Sequence, residues 1–471
     1  MTDGWMDIIK VFLNGVGVFF ILYLIGYSTF LFLVAVVGSV SLFGKKQQNT
    51  MKNSLLKNYH VPVTIIVPAY NEEITVADTV KSLLALEYTA YEIIIVDDGS
   101  RDRTSDVLID AFRMHQTNMP IRKRIACQPA EFVYETEDEK VPVSLIRKKN
   151  GGKADALNMG INASRYPYFI CMDADSVLQY DSLDKIVRPV LENDNVVAVG
   201  GTIRAVNNVS LEKGRIKRYQ LPKKILACMQ VLEYDRSFLA SRILFDKFNG
   251  SLIISGAFGL FKKETVISAG GYEQGLLGED MELVVKLHEY CVSGHIPYLM
   301  CYATDAICWT QVPEHLKDLC RQRKRWHLGL FQSMWLHRKM LFNPRYGAVS
   351  FVSYLYFLLY ELLSPYIEIF GVLTMIMAYC VDLINVPFMV LFFLIYAVFG
   401  SVLSLTIFFA RAHTIDLTIS AADVLKAICL CFFEITCLRF VLTFVRATAF
   451  KGYRKKKDQW GEIERKKINL N

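Results

Sequence analysis

Two carboxylates follow one of the short apolar runs of the chain at a spacing that suits a metal ion. Asp173 and Asp175 come at the end of YFICMDADS, directly after the run at residues 168–172. Carboxylates at i and i+2 beyond a strand can bind one hard cation and leave its other positions to diphosphate oxygens. A turn or helix cap is the alternative, but the position at a strand end favours a divalent-cation site.

A second acidic pair, Asp97 and Asp98, ends the run EIIIV at residues 92–96 and precedes Gly99. An aspartate that caps a tight turn at Gly99 is the simpler interpretation. The alternative is a carboxylate that accepts hydrogen bonds from a base or a ribose. The motifs that accompany this pair favour the second interpretation.

Two polar motifs could contact a nucleotide. VPAYNEE, at residues 67–73, ends an apolar run, and its Asn71 or Glu72 could hold a nucleotide. NGGKADALN, at residues 150–158, places two glycines before Lys153 at the start of a helical stretch. A cation there suits a phosphate-facing role, because helix N-termini bind phosphate groups.

A third acidic pair follows a glycine. In LLGEDMEL, at residues 276–283, Glu279 and Asp280 stand at the start of a helical stretch. Helix stabilisation is the simpler interpretation, since acidic side chains interact favourably with a helix N-terminus. A cation-assisted transfer nevertheless needs a general base for the incoming hydroxyl, and this pair could supply it.

One helical stretch carries an aligned polar and aromatic set. In HLKDLCRQRKRWHLG, at residues 315–329, Gln322, Arg325 and Trp326 are spaced i, i+3 and i+4 and so share a face. A basic helix at a membrane surface would account for the arginines. It would not require Gln322 and Trp326 on one face, which favours a binding role.

The elements that must position these residues alternate between strand and helix. Apolar runs predict strands at 63–67, 92–96, 143–146, 168–172 and 196–199, with helices at 72–84, 104–112, 154–163 and 183–191 between them. This alternation predicts a mostly parallel sheet covered on both faces. Ligands bind beyond the carboxyl ends of such strands, where the polar residues lie. The charged stretch 114–140 is expected to be a surface insertion.

Apolar composition indicates a membrane protein. Hydrophobic residues make up 53% of the 471 residues and charged residues 21%, which argues against an ordinary soluble enzyme. Residues 11–44 contain no charged side chain and exceed the ~20 residues that cross a bilayer, so we predict one long helix. Glu361 and Glu368 are expected to pair with arginines in a packed bundle or to face a wet cavity. Further apolar segments lie at 349–380, 387–410 and 424–450.

The net charge of +7 is concentrated in the tail. Residues 451–467 hold eight basic and three acidic side chains. Basic residues beside an apolar segment are typical of the cytoplasmic face, so we expect a cytoplasmic tail and no nucleic-acid partner. Three complete carboxyl-terminal crossings would place the tail outside. We therefore expect one segment, 424–450, to be re-entrant or interfacial.

The ordered motifs VPAYNEE, DDGS, NGGKADALN, DAD, GED and QRKRW, flanked by apolar spans, resemble the processive membrane glycosyltransferases of family 2. That group comprises the bacterial cellulose, hyaluronan, poly-N-acetylglucosamine, chitin and mixed-linkage β-glucan synthases. The resemblance is detailed over residues 60–345. It implies an α/β nucleotide-sugar-binding domain of the type A fold, embedded between transmembrane helices, with Mg²⁺ or Mn²⁺ as cofactor and the catalytic domain on the cytoplasmic side of the bacterial plasma membrane.

The same resemblance implies a division of the chain. It comprises an amino-terminal transmembrane helix (1–45), a cytoplasmic glycosyltransferase domain (46–312), amphipathic interface helices with QRKRW (313–345), transmembrane channel helices (346–450) and a basic cytoplasmic tail (451–471). In relatives a mobile loop with an aromatic or Trp-Gly motif closes over the donor. The matching residues here lie in the tail, after the last span, and are Trp460, Gly461 and Arg465.

The resemblance also implies individual roles. Asp280 would be the general base with Glu279 beside it, and Asp173 and Asp175 would hold the metal. The implied donor-binding residues are Tyr70, Asn71, Glu72, Asp97, Asp98, Lys153, Gln322 and Arg325, with Asp97 and Asp98 on the uridine. The implied acceptor-binding residues are Ser255, Gly256, Ala257 and Trp326.

These parts predict an inverting, processive transfer of sugar from a UDP-sugar to a growing β-linked polysaccharide, which is threaded across the lipid bilayer. UDP-glucose is the expected donor, and a poly-N-acetylglucosamine or other N-acetylhexosamine polymer is the alternative. Transfer of one sugar to a lipid phosphate is a rival, although that class typically lacks the QRKRW helix. A transporter with a degenerate domain is a second rival, which the intact carboxylates disfavour.

Overall fold

The computed structural model describes residues 2–56, 59–137, 139–414 and 419–451. The expected gate residues Trp460, Gly461 and Arg465 lie outside the described residues. Twelve strands occur in the described part of the chain. They are β1 (Val63–Ala69), β2 (Tyr91–Asp97), β3 (His115–Thr117), β4 (Ala130–Glu135), β5 (Val143–Lys148), β6 (Tyr168–Cys171), β7 (Val177–Leu178), β8 (Val196–Ala205), β9 (Val209–Glu212), β10 (Arg215–Tyr219), β11 (Gly259–Lys262) and β12 (Leu299–Thr310).

Ten of these strands form one sheet in the order β3-β4-β5-β2-β1-β6-β11-β8-β12-β7, and β9 pairs with β10 separately. The central strands β5, β2, β1 and β6 are parallel, as are β8 and β12. Strand β11 is antiparallel to both of its neighbours. The mostly parallel central sheet is thereby confirmed.

The α-helices are α1 (Thr2–Leu56), α2 (Val76–Leu84), α3 (Thr104–Phe112), α4 (Lys153–Ala163), α5 (Ser182–Glu192), α6 (Ile225–Tyr234), α7 (Ser241–Asp246), α8 (Lys263–Ser268), α9 (Glu279–Ser293), α10 (Leu316–Leu336), α11 (Ser364–Cys380), α12 (Val386–Thr414), α13 (Ala421–Phe433) and α14 (Arg439–Ala447). A π-helical turn, Asp235–Ala240, joins α6 to α7. Apolar side chains of the central strands pack against these helices on both faces of the sheet. That burial explains why strands such as β2 read as continuous apolar runs.

Two of the boundaries that differ from the sequence prediction lie beside the first polar motif. Strand β1 continues through Pro68 to Ala69, whose carbonyl accepts from the amide of Asp98. Helix α2 begins at Val76 instead of Glu72. The reason is tertiary: the amide of Glu72 donates to the hydroxyl of Thr104 at 2.8 Å, and this bond holds the segment in a turn.

The charged stretch 114–140 is more than an insertion. It contributes β3 and β4, which pair antiparallel with each other and extend the sheet beyond β5. Only one residue of β4, Val133, is buried. Strand β4 therefore joins the sheet through its backbone hydrogen bonds, while its other side chains are partly or fully exposed. The absence of a buried apolar run explains why the sequence pattern missed it.

Three helices of the described chain are long and apolar enough to cross a membrane: Met6–Gly44, Val386–His413 and Ala421–Ala447. A fourth candidate is a pair, Val349–Leu362 and Ser364–Cys380, bent by 52°. The bend therefore lies in the segment 349–380 and not in 424–450, where we expected a re-entrant element. Pro365, in the first turn of α11, accounts for the break, because proline cannot continue the preceding helix.

Candidate active site

A cavity of about 2070 Å³ opens where the strand ends meet α9 and α10. The described residues that line it include nearly all of the site residues expected from the sequence. Its lining continues past Trp326 to side chains of the membrane helices, among them Tyr27 of α1 and Glu434 near α13. The acidic strand ends and the apolar helices therefore share one continuous space.

The expected metal pair faces this cavity. Asp173 and Asp175 follow β6, and both are partly exposed. The ammonium of Lys153, the first residue of α4, lies 2.5 Å from a carboxylate oxygen of Asp173 and 3.6 Å from one of Glu279. Burial opposes the charge on Lys153, but these carboxylates outweigh it and raise the pKa of Lys153 above its usual value.

The donor set fits a hard cation. Among the described residues, no cluster of three or more His, Cys, Asp or Glu side chains is placed to hold a metal. Two carboxylate groups with access to the cavity suit a cation such as Mg²⁺, which is commonly bound by one or two carboxylates together with substrate phosphates. The ammonium group of Lys153 lies beside Asp173 and neutralises part of this negative charge, as a bound metal ion would.

The third acidic pair, Glu279 and Asp280, lies beside Lys153. Asp280 accepts from the amides of Gly256 at 3.2 Å and Met281 at 2.8 Å, so backbone groups orient its carboxylate. Burial raises the pKa of Glu279, Lys153 lowers it, and the adjacent Asp280 raises it again. Two neighbouring acids therefore have different environments, with Glu279 buried and Asp280 open to the cavity.

The Ser255–Gly256–Ala257 segment forms the wall between these groups. A Cβ atom at Gly256 would lie 3.4 Å from both the Cβ of Asp280 and the Nζ of Lys153. Any larger side chain at Gly256 would therefore occupy the space between the carboxylate and the ammonium. The small residue keeps that space free for a ligand.

The pair at the end of β2 divides into two different roles. Asp97 is 2% exposed and accepts from the amide of Ser100 at 2.8 Å and from the hydroxyl of Ser105. It is not among the described residues that line the cavity. These are the contacts of a turn cap, and a contact of Asp97 with uridine stays a prediction. Asp98, in contrast, lines the cavity.

Asp98 organises the glycine loop that leads to α4. Its two oxygens accept from the amides of Gly151 at 3.0 Å and Gly152 at 2.7 Å. Burial raises the pKa of Asp98, although these amides and Lys148 lower it. Lys148 is a residue that the sequence analysis missed. It is fully buried and pairs with Asp98 and, at 2.7 Å, with Asp155.

The VPAYNEE segment forms the neighbouring wall. Tyr70, Asn71 and Glu72 all line the cavity. The side-chain oxygen of Asn71 accepts from the amide of Arg101 at 2.9 Å, so it also fixes the turn after β2. A carboxylate oxygen of Glu72 accepts from Thr75 at 2.8 Å. These two side chains thus have structural partners, whereas the ring of Tyr70 is 37% exposed at the cavity.

Helix α10 brings Gln322, Arg325 and Trp326 to the cavity, as their shared face predicts. The side-chain oxygen of Gln322 is buried without a hydrogen-bond partner among the described residues. Arg325 lies close enough to Glu279 to lower its pKa. Gln332, on the same helix, accepts from the amide of Leu277 at 2.9 Å and joins α10 to the segment before α9.

The segment from α6 to α7 was not predicted to contribute to the site. Glu233, Arg236, Phe238 and Arg242, in or between α6 and α7, all line the cavity. The signal in the sequence was a set of charged residues within an apolar helical stretch. Glu233 pairs with Arg323 and Arg236 with Glu434, each through two hydrogen bonds of 2.7–3.0 Å.

Glu361 and Glu368, the carboxylates within the apolar segments, both pair with arginines and face the cavity. Glu368 lies 2.7 Å from Arg439, and Glu361 lies 3.5 Å from Arg446. All four side chains also line the cavity. The apolar helices therefore border a polar part of this cavity, which is where intramembrane charges are tolerated.

Comparison with known proteins finds similar sequences for most of the sheet domain. The family profile described as "Glycosyltransferase like family 2" matches residues 60–329. The chain is 32% identical over 310 residues to the poly-beta-1,6-N-acetyl-D-glucosamine synthase of Staphylococcus epidermidis, covering 65% of this chain and 64% of that protein. It is 29% identical over 313 residues to the enzyme of the same name from Staphylococcus aureus, with the same two coverages.

The match thus spans 64% of the length of these curated relatives. Among solved structures, the mannosyltransferase PcManGT from Pyrobaculum calidifontis, in complex with GDP-Man and Mn²⁺, is 16% identical with a TM-score of 0.49. The similarity covers 82% of this chain and 99% of that one.

Proposed function

Because the chain belongs to glycosyltransferase-like family 2, we propose that it polymerises N-acetylglucosamine from UDP-N-acetylglucosamine into a β-linked polysaccharide and passes the product across the membrane. The observation that carries this proposal is the continuous cavity. Ligand pockets for small molecules measure about 300–1,000 Å³, and the cavity exceeds that range at about 2070 Å³. A growing chain needs such a space, whereas a single sugar does not.

The choice of sugar departs from our expectation of UDP-glucose. The curated relatives reported above are named as synthases of a poly-β-1,6-N-acetylglucosamine, which favours the alternative over a β-glucan. The motifs themselves are common to the whole group and do not select the sugar. The proposed donor therefore rests on the similarity to these relatives, and the incubation described below tests it.

In the proposed reaction the donor diphosphate lies between the strand ends and α10. Asp173 and Asp175 would hold Mg²⁺ or Mn²⁺, which supplies charge neutralisation of the departing diphosphate. Lys153 adds a fixed cation beside them. Asp98 and the exposed ring of Tyr70 border the nucleoside end of the donor. Arg325 and Gln322 donate hydrogen bonds to the diphosphate. The side-chain oxygen of Gln322, which is buried without a partner among the described residues, would accept from a ligand hydroxyl.

Asp280 is the proposed general base. Its oxygens are oriented by the amides of Gly256 and Met281, and it faces the cavity. It would take the proton from the acceptor hydroxyl as that oxygen attacks the anomeric carbon from the face opposite the diphosphate. One displacement inverts the centre, so an α-linked donor gives a β-linked product.

The membrane arrangement also supports a shared side for the domain and the tail. If the bent pair at 349–380 does not cross, the Val386–His413 and Ala421–Ala447 spans return the chain to the side of the sheet domain. The basic tail and the catalytic domain would then both be cytoplasmic, in agreement with the positive-inside rule. This arrangement removes the need for a re-entrant 424–450.

The purified full-length protein should be incubated separately with UDP-N-acetylglucosamine and UDP-glucose in the presence of Mg²⁺ or Mn²⁺, followed by linkage analysis. Polymer from UDP-N-acetylglucosamine alone supports the proposal. Polymer from UDP-glucose alone would restore the β-glucan assignment. Transfer of one sugar to a lipid phosphate without any polymer would exclude a processive synthase.

A further inference from the structure

Trp326, the implied acceptor platform, is held by two other side chains. The guanidinium carbon of Arg323 lies 4.6 Å from the centre of the indole ring. The ring of Phe238 contacts the indole edge-on, with 6.0 Å between centroids. A planar cation on one side and an aromatic edge on another restrict the orientation of the indole.

Arg323 is itself fixed by Glu233. Its two terminal nitrogens donate to the two carboxylate oxygens of Glu233 at 2.8 and 2.7 Å. The side chains are 8% and 15% exposed, so solvent screens this pair only weakly. Bidentate pairing sets the plane of a guanidinium as well as its position. The plane of Arg323 in turn sets the surface that Trp326 meets.

We propose that Glu233 is a positioning residue for the acceptor sugar, which acts by fixing Arg323 and through it the indole of Trp326. This inference rests on the proposed polymerase function, in which Trp326 stacks beneath the acceptor. It assigns a role to α6, a helix with none of the motifs found in the sequence. Glu233 contributes to acceptor binding and leaves the donor side of the cavity unchanged.

Substitution Glu233→Gln keeps the size of the side chain and removes the charge that holds Arg323. We expect the KM for a β-1,6-linked N-acetylglucosamine oligosaccharide to rise at least about tenfold, as loss of a charged hydrogen bond would give. The KM for UDP-N-acetylglucosamine and the rate of its hydrolysis by water should remain within about twofold. A merely structural role would lower elongation and hydrolysis together.

A neighbouring ion pair provides the matched control. Asp235, two residues along, pairs with Arg411, and both side chains are 5% exposed. Neither of these residues is part of the cavity lining among the described residues. Asp235→Asn therefore measures the general cost of breaking a buried pair in the π-helical turn that follows α6. It should leave the acceptor KM unchanged.

The decisive comparison uses the Trp326→Ala background. If Glu233 acts through the indole, Glu233→Gln adds no further rise in acceptor KM once the indole is absent. An additional tenfold rise in that background, or an equal effect from Asp235→Asn, overturns the proposal. If the wild-type protein polymerises another UDP-sugar, only the proposed donor is refuted. The effect of Glu233→Gln on elongation relative to donor hydrolysis is then measured with that sugar.

Discussion

Gly278 and Gly329 meet backbone to backbone. A Cβ atom at Gly278 would lie 2.9 Å from the Cα of Gly329, and one at Gly329 would lie 2.7 Å from the Cα of Gly278. Gly278 precedes the acid pair at the start of α9, and Gly329 is one turn beyond Trp326 on α10. This contact sets the distance between the proposed base and the proposed acceptor platform.

Gly329→Ala should separate the two helices, because the added methyl meets backbone and not a flexible side chain. Overpacking of this kind costs about 1–3 kcal/mol. We expect a lower thermal midpoint and a loss of polymer synthesis greater than the loss of UDP-sugar binding. Gly17→Ala, in helix α1 with no atom within 4 Å of its Cβ, controls for a helical glycine-to-alanine change without overpacking. Equal activity of Gly329→Ala and the wild type would show that the contact is unimportant.

Asp280→Asn should abolish polymer while UDP binding remains largely intact. A base is required for the acceptor hydroxyl but not for the departing diphosphate, and its loss costs typically 10²–10⁴-fold in rate. Polymer yield and UDP binding are measured on the same preparation. Asp305→Asn, which breaks an ion pair with Arg188 outside the cavity lining of the described residues, is the control. Near-normal turnover in Asp280→Asn would remove this residue from the base role.

Removal of divalent cations with a chelator, or the substitution Asp175→Ala, should lower both donor affinity and rate. Without a metal ion the diphosphate faces the carboxylates of Asp173 and Asp175, whose charge Lys153 compensates only in part. Binding of UDP-N-acetylglucosamine is measured by calorimetry before and after Mg²⁺ or Mn²⁺ is restored. Activity that persists in excess chelator would contradict a metal-dependent mechanism.

Truncation after Arg454 tests the tail, whose expected gate residues Trp460, Gly461 and Arg465 lie outside the described residues. The described chain approaches the site at Phe450, whose ring centre lies 5.0 Å from that of Phe331 on α10. Loss of synthesis with normal membrane insertion supports a gate that gains contacts when donor binds. Full activity would leave contact with anionic lipid as the role of the tail.

The side of the membrane is tested separately. Labelling of Trp460→Cys in sealed inverted vesicles should occur from the face that corresponds to the cytoplasm. The catalytic activity of the same vesicles toward added UDP-sugar reports the side of the sheet domain. Labelling of the tail from the opposite face alone would overturn both the topology and the gate.

The sequence by itself determined the parallel strands at the centre of the sheet and the polar residues that follow them. Continuous β-branched runs are sufficient to predict strands such as β1 and β2, because both faces of these strands are buried. Chain direction then places the residues after them at one edge, which is why Asp98 and Asp173 could be assigned to one edge of the sheet. Asp280, at the start of α9, was assigned to the site by the family resemblance. Helical spacing likewise placed Gln322 and Trp326 on a shared face, since i, i+4 neighbours align.

Only the tertiary structure decided what each side chain contacts. Asp97 and Asp98 are adjacent in sequence, yet one caps a turn and the other faces the cavity, because successive residues that leave a strand point in different directions. Glu233 meets Arg323 across 90 residues, and Gly278 meets Gly329 across the packing of two helices. The local sequence pattern shows the periodicity of helices and strands and the residue types of turns. It does not show pairs such as Glu233 and Arg323, because packing between elements distant in the chain brings them together.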